Sequence, residues 1–197
     1  MPDTPHDWRD ALLAIAREAD DAFGGLTAAA FNAAPTPGAW SAGQCLAHLT
    51  ATAAPLLPRL DTAVAGLARN GRTGHGPYRT GAVGAWFARL LAPPAAAADG
   101  RTPPPPRRMS APSMYAPPPG PLDVDGTLAA FRAVYTGLAR VAGRSDGWAI
   151  DRVRVGSPAF PLLRLSAAAW LEVSVQHGRR HLAQAHRAAA SRAPATA

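Results

Sequence analysis

Apolar residues recur every three or four positions in four long stretches of the chain, which is the spacing of one face of an α-helix. The first stretch predicts a helix over residues 4–23, which Thr4 can cap and which Gly24 and Gly25 end. Its apolar positions are Trp8, Leu12, Ile15, Ala19 and Phe23. We expect this stripe to face the core of the protein.

The second stretch predicts a helix that begins at Ser41 and ends near residue 70. Ser41 followed by Gln44 at the third helical position forms a capping box, which is typical of a helix start. Pro55 and Pro58 lie inside the stretch, and each removes a backbone donor. We therefore expect a kink or a break at these prolines.

The third and fourth stretches predict two further long helices. The third helix begins at Asp125 or Thr127 and ends at Gly143. The fourth helix begins at Ser166, a good N-cap residue, and runs to about Ala190.

Less regular segments connect these helices. Short helical segments are predicted over residues 26–32 and 82–91, and no stretch is a convincing strand, although residues 152–155 alternate weakly. Residues 93–121 hold 11 of the 21 prolines, which predicts a polyproline-like connection without regular structure. The pattern predicts an all-α fold over residues 1–197: one domain, a four-helix bundle with a long crossover between the second and third helices.

Composition narrows the function classes. All 20 basic residues are arginine and the net charge is +7, but the arginines are spread along the chain, so we expect no nucleic-acid partner. The single cysteine, Cys45, excludes an intramolecular disulfide and a four-cysteine zinc site, and we expect it in the core. The sequence has neither a signal peptide pattern nor 18 consecutive apolar residues, which favours a cytoplasmic protein without membrane contact.

Three histidines are the candidate chemical groups. His177 and His181 lie one turn apart on the fourth helix, a spacing that lets two imidazoles bind one transition metal ion. His48, on the second helix, lies off the apolar face and is the candidate third ligand. Three neutral imidazoles leave a coordination position open, as in catalytic metal sites. The alternative is that these histidines are solvated or packed side chains without a ligand role.

Other side chains near the histidines have more than one interpretation. Arg180 and Arg187 flank the histidine stripe and either hold a substrate carboxylate or lie on a solvated helix face. Cys45 is an alternative fourth ligand, whereas Glu172 lies on the far side of its helix and is no candidate for a general base. Gly178 either permits close helix packing or is merely tolerated.

The ends of the chain carry a resemblance to a known family. Residues 37–49, P-G-A-W-S-A-G-Q-C-L-A-H-L, resemble the P-x-x-W-S-x-x-[EQ]-x-L-x-H-L signature of the DinB/YfiT-like superfamily. Residues 177–184, H-G-R-R-H-L-A-Q, are similar to its C-terminal H-x-x-x-H-L-x-Q helix. Residues 111–117 resemble its A-P-x-x-x-x-P crossover, so the three motifs occur in the family's order.

This resemblance implies a four-helix bundle in which His48, His177 and His181 bind a divalent ion, nickel or zinc, often in a homodimer. It implies a metal-dependent enzyme for a small-molecule substrate, a thiol-dependent S-transferase or isomerase with a low-molecular-weight thiol as cosubstrate. A metal-dependent hydrolase and a non-catalytic metal- or small-molecule-binding module linked to stress response are the alternatives. The family commonly has Asp where this chain has Gly178, which puts any ligand-orienting role of that position in question.

Overall fold

The computed structural model describes residues 4–94 and 111–191, and the tail whose fraying we expect after Arg192 lies outside these ranges. Most of the described residues are helical, which confirms the all-α fold. The elements in chain order are α1 (Pro5–Phe23), α2 (Ala28–Asn32), α3 (Ala42–Ala53), α4 (Leu57–Arg69), α5 (Gly81–Leu91), a 3₁₀ turn (Ser113–Tyr115), α6 (Val124–Arg144), β1 (Arg154–Gly156), β2 (Arg164–Ser166) and α7 (Ala167–Ala190). No helix in the two described ranges has both the length and the hydropathy that crossing a lipid bilayer requires.

The long helices α1, α3, α6 and α7 pack around one apolar core. Helix α1 lies along α6, α3 lies against α7, and α5 packs on α7. The predicted stripe of α1 is buried from Trp8 to Phe23. The indole N–H of Trp8 also donates a hydrogen bond to Oε2 of Glu172 at 2.8 Å, which ties α1 to α7 inside the core.

The second predicted helix is interrupted at its prolines, as expected. Helix α3 ends at Ala53, and Pro55 has no N–H with which to continue its hydrogen-bond ladder. Helix α4 begins at Leu57 with Pro58 in its first turn, where no intrahelical donor is needed. The break makes α3 and α4 separate helices, so that α3 can pack against α7 independently of the direction of α4.

Both predicted boundaries of the third helix are wrong, the start by two or four residues and the end by one. The N-cap is Asp123, not Asp125 or Thr127, because a carboxylate oxygen of Asp123 accepts a backbone N–H of the first turn at 2.7 Å. The helix also continues through Gly143 to Arg144.

The expectation that the chain lacks a convincing strand is also wrong. Strands β1 and β2 pair in antiparallel register, with Val155 opposite Leu165, and both side chains are buried. The carbonyl of Val155 accepts a hydrogen bond from the indole N–H of Trp170 in α7 at 2.9 Å. Strands of three residues are too short to show a periodic pattern, and here contacts with α7 support them.

The crossover between α5 and α6 is partly described. Residues 95–110, which contain the longest proline run, lie outside the described residues. In the described part, the 3₁₀ turn lies against α3, and the chain then reaches Leu122. The N–H of Leu122 donates to the amide oxygen of Asn32 at 2.7 Å, and the amide nitrogen of Asn32 donates to the carbonyl of Leu122 at 2.9 Å. These paired bonds fix the end of the crossover to α2.

Candidate metal centre

His48 is positioned by α3, and the amino end of α3 is fixed by the predicted capping box. The N–H of Gln44 donates to Oγ of Ser41 at 3.2 Å, and the N–H of Ser41 donates to the amide oxygen of Gln44 at 3.1 Å. His48 lies two turns farther along, and only 4% of its surface is exposed. A histidine off the main apolar stripe of its helix is thus buried where α3 meets α7.

The structure brings His48, His177 and His181 together. The ring centroids of His177 and His181 are 4.7 Å apart, and the His48 ring lies 5.2 Å and 4.7 Å from them, respectively. If one nitrogen is taken from each of the three rings, these three nitrogens all lie within 4.8 Å of one another. Nε2 of His48 and Nε2 of His177 are 3.3 Å apart. Side chains from two segments that are distant in sequence therefore bring three ring nitrogens close to one another.

The distance between His48 and His177 fits a shared divalent ion. Two nitrogens that each lie about 2.0–2.1 Å from one ion are about 2.8–3.4 Å apart at the octahedral cis angle or the tetrahedral angle, which includes the 3.3 Å found between Nε2 of His48 and Nε2 of His177. Nδ1 of His181 is buried without a hydrogen-bond partner among the described residues. Buried polar atoms normally have a partner, so this nitrogen is consistent with a ligand-binding site.

The hydrogen-bond partner of Nδ1 of His48 determines which ring nitrogen carries the proton. Nδ1 of His48 lies 2.8 Å from the carbonyl oxygen of Tyr115 in the 3₁₀ turn. Because a carbonyl oxygen can only accept, Nδ1 carries the proton and donates it. The lone pair is then on Nε2, the atom that faces His177.

Burial keeps all three imidazoles neutral near pH 7. Burial lowers the pKa of His48, an effect that the bond to Tyr115 partly opposes. Burial, followed by the neighbouring histidines and the charge of Arg180, lowers the pKa of His177 well below its usual value. Burial, His48 and Arg180 together lower the pKa of His181 to about 3. The neutral imidazole is the form that binds metal ions.

Trp40 forms one wall of this centre, a role that the sequence analysis did not assign to it. Its half-buried ring lies 4.8 Å from the ring of His48 and 5.7 Å from that of His181. It also lines a shallow surface depression together with Asn32, Gln44 and other residues. The signal was present, because Trp40 is the tryptophan of the P-x-x-W-S segment.

The structure shows a contact of Arg180 that neither interpretation includes. Its guanidinium donates to the carbonyls of Leu90 and Ala92, at 3.1 Å and 3.4 Å, and so binds the C-terminal end of α5. Its charge nevertheless acts on His177 and His181. Arg187 is half-buried and interacts electrostatically with Arg180 and with Cys45.

Cys45 and Glu172 lie where the sequence predicts. Cys45 is fully buried in the core, and burial raises the pKa of its thiol to about 12, with Arg187 weakly opposing the shift. The carboxylate of Glu172 accepts hydrogen bonds from Trp8 and, at 2.7 Å, from the amide of Gln176. Neither residue belongs to the cluster of ring nitrogens.

Gly178 faces the core, where it permits close packing. A Cβ atom there would lie 2.9 Å from the hydroxyl oxygen of Tyr135 and 3.0 Å from Cδ1 of Ile15. A side chain at this position would therefore point between α1 and α6. The family's common Asp has no space here.

The remaining histidines lie outside the centre. His6 and His75 are exposed. Nε2 of His186 lies 2.9 Å from a carboxylate oxygen of Glu18 at the surface.

One of three comparisons with known proteins finds a match. Neither the curated proteins nor the solved structures contain a significant match to the chain. A family model described as the DinB superfamily matches residues 11–185, a range that includes all three clustered histidines. The match covers most of the chain, which therefore belongs to the DinB superfamily.

Proposed function

We propose that this protein binds one divalent metal ion, nickel or zinc, through His48, His177 and His181. The observation that carries the proposal is a cluster of three neutral imidazoles on two helices that are distant in sequence. One nitrogen of each ring lies within 4.8 Å of the corresponding nitrogens of the other two rings. Imidazole is a good ligand for both ions. Membership of the DinB superfamily supports the same ligand set.

We further propose that the bound ion serves an enzyme that uses a low-molecular-weight thiol in an S-transfer or isomerisation reaction on a small-molecule substrate. When bound, the ion supplies Lewis-acid chemistry that lowers the pKa of a thiol cosubstrate. The ring of Trp40 shields one side of the centre from water. The charge of Arg180 adds a positive field, which favours an anionic reactant over a cationic one.

The choice of this reaction over hydrolysis rests on the family resemblance. A bound ion would lower the pKa of water as well as that of a thiol, so a metal-dependent hydrolase uses the same three histidines. Glu172, on the same helix as two of the histidines, is engaged by Trp8 and Gln176 in the core and supplies no additional base.

Elemental analysis of the purified protein tests metal binding. We expect about one nickel or zinc ion per chain in the wild type, and its loss in His181→Ala. His186→Ala is the matched control, because it removes an imidazole from the same helix but at the surface. Retention of a stoichiometric ion by a folded His181→Ala variant would contradict the proposed ligand set.

Turnover tests the enzymatic part. The metal-loaded protein is incubated with a panel of thiols and electrophiles, with and without a chelator. We expect thiol consumption that the chelator abolishes and that His186→Ala retains. A protein that binds the ion stoichiometrically and turns over none of the pairs is instead a binding module.

The family resemblance also favours a homodimer, which light scattering on the eluted protein would show as twice the chain mass.

A further inference from the structure

The described part of the crossover reaches the three histidines through the backbone carbonyl of Tyr115. The side chain of Tyr115 is 8% exposed, and its N–H donates to the carbonyl of Pro112 at 2.8 Å. The N–H of Ala116 donates to the carbonyl of Ser113 at 3.1 Å and closes the 3₁₀ turn. Hydrogen bonds within the turn and burial of the Tyr115 ring therefore fix the direction of the Tyr115 carbonyl.

We infer that the Tyr115 carbonyl is a positioning group of the metal centre. By accepting the proton on Nδ1 of His48 at 2.8 Å, it fixes the rotation of the imidazole and keeps the lone pair on Nε2. Nε2 is the atom that lies 3.3 Å from Nε2 of His177. The inference rests on the proposed metal binding and adds that the crossover determines how well His48 takes part in it.

The bond to Tyr115 comes from outside the helix that carries His48, whereas the side-chain hydrogen bond of His181 is to Gln184 on its own helix. His177 and His181 are one turn apart on one helix, so α7 alone determines their spacing. Nδ1 of His181 has no hydrogen-bond partner among the described residues. His48 comes from a different helix, and its ring must be turned correctly toward α7. The carbonyl provides that orientation from outside both helices.

Ala116→Pro is the most direct test, because it moves the carbonyl without removing a buried side chain. Ala116 is exposed, and its backbone φ of −60° and ψ of 135° already suit proline. A proline at 116 disfavours the helical conformation of the preceding residue, Tyr115, and it removes the N–H that bonds Ser113. Both effects rotate the Tyr115 carbonyl away from His48. Ala116→Ser is the matched control, since it keeps the N–H and does not restrict Tyr115.

Two readouts are needed. Zinc affinity is measured by competition with a chromophoric chelator, and the tautomer of His48 is measured by ¹⁵N NMR of the imidazole nitrogens in the zinc-free protein. We expect Ala116→Pro to lower zinc affinity about 10- to 100-fold, the usual effect of losing an outer hydrogen bond to a ligand histidine. We expect the same variant to shift His48 from the Nδ1–H toward the Nε2–H tautomer, while Ala116→Ser retains wild-type values. Circular dichroism confirms that each variant is folded.

The outcomes separate this inference from the proposed function. Wild-type protein that binds zinc, together with an Ala116→Pro variant of unchanged affinity, overturns the positioning role alone. Loss of affinity without a change of tautomer also overturns it, because general loosening of the crossover would then explain the result. Wild-type protein that binds no divalent ion overturns both. If Ala116→Pro does not fold, Tyr115→Ala takes its place, with Tyr115→Phe as the variant that should restore both readouts.

Discussion

At the scale of single residues, Gly178 shows how the absence of a side chain lets α7 pack closely against α1 and α6. We expect Gly178→Ala to destabilise the protein by about 1 kcal/mol, because overpacking of about 1–3 kcal/mol outweighs the gain of about 1 kcal/mol in helix propensity. The added Cβ would collide with Tyr135, which is almost fully buried and cannot move freely. Urea denaturation of both proteins measures the difference.

Two variants serve as controls for this collision. Gly66→Ala in α4 makes the same substitution where the nearest side-chain atom is 3.9 Å away, so it should stabilise the protein or leave it unchanged. Tyr135→Phe removes the hydroxyl that the new Cβ would meet at 2.9 Å, and combined with Gly178→Ala it should recover part of the lost stability. A stabilised Gly178→Ala protein would show that α7 can move away from α6 at no cost.

The sequence predicts the histidines of the centre but not the groups around them. His177 and His181 can be predicted because residues four positions apart lie on the same face of a helix. His48 can be predicted because it lies off the apolar face of its own helix. The Tyr115 carbonyl is invisible to such reasoning, since every residue has a carbonyl and its direction depends on tertiary structure. Trp40 had a signal in its motif, but apolar spacing could not assign its ring to the histidines.

At the scale of elements, the sequence pattern locates the long helices and the short helices α2 and α5, but not the paired strands. The prolines predict the interruption between α3 and α4 because their effect is local and covalent. The β1–β2 pair escapes prediction because its three-residue strands depend on hydrogen bonding and packing against α7. Helix α6 begins earlier than its apolar stripe suggests because a capping side chain, Asp123, defines the start.

The start of α3 is the element boundary on which the position of His48 depends most directly. We expect Ser41→Ala to lower the free energy of unfolding by about 1 kcal/mol, since the side chain that accepts the Gln44 N–H is lost. Ser41→Gly should cost only a few tenths of a kcal/mol, because glycine suits the N-cap backbone. Urea denaturation distinguishes the two. Equal stability of Ser41→Ala and wild type would show that packing alone fixes this boundary.

At the scale of the whole molecule, α7 connects the apolar core to the three histidines. Helix α7 holds His177 and His181 on one face and Glu172, bonded to Trp8 of α1, on another. On its outer side, Arg180 binds the end of α5. A ligand that draws the three histidines together therefore acts on a helix that contacts most of the bundle, and its binding should stabilise the fold as a whole.

The single cysteine makes this coupling measurable. Cys45 is fully buried and its pKa is raised to about 12, so a thiol reagent should modify it only when the bundle opens. Zinc at about 100 times its dissociation constant should slow modification about 100-fold, because it binds the folded state and reduces the open population by that factor. The colour released by an aromatic disulfide reagent follows the rate. In His181→Ala the same zinc concentration should leave the rate of modification unchanged. If the wild type is modified rapidly whether or not zinc is present, Cys45 becomes accessible through local motion, without opening of the bundle.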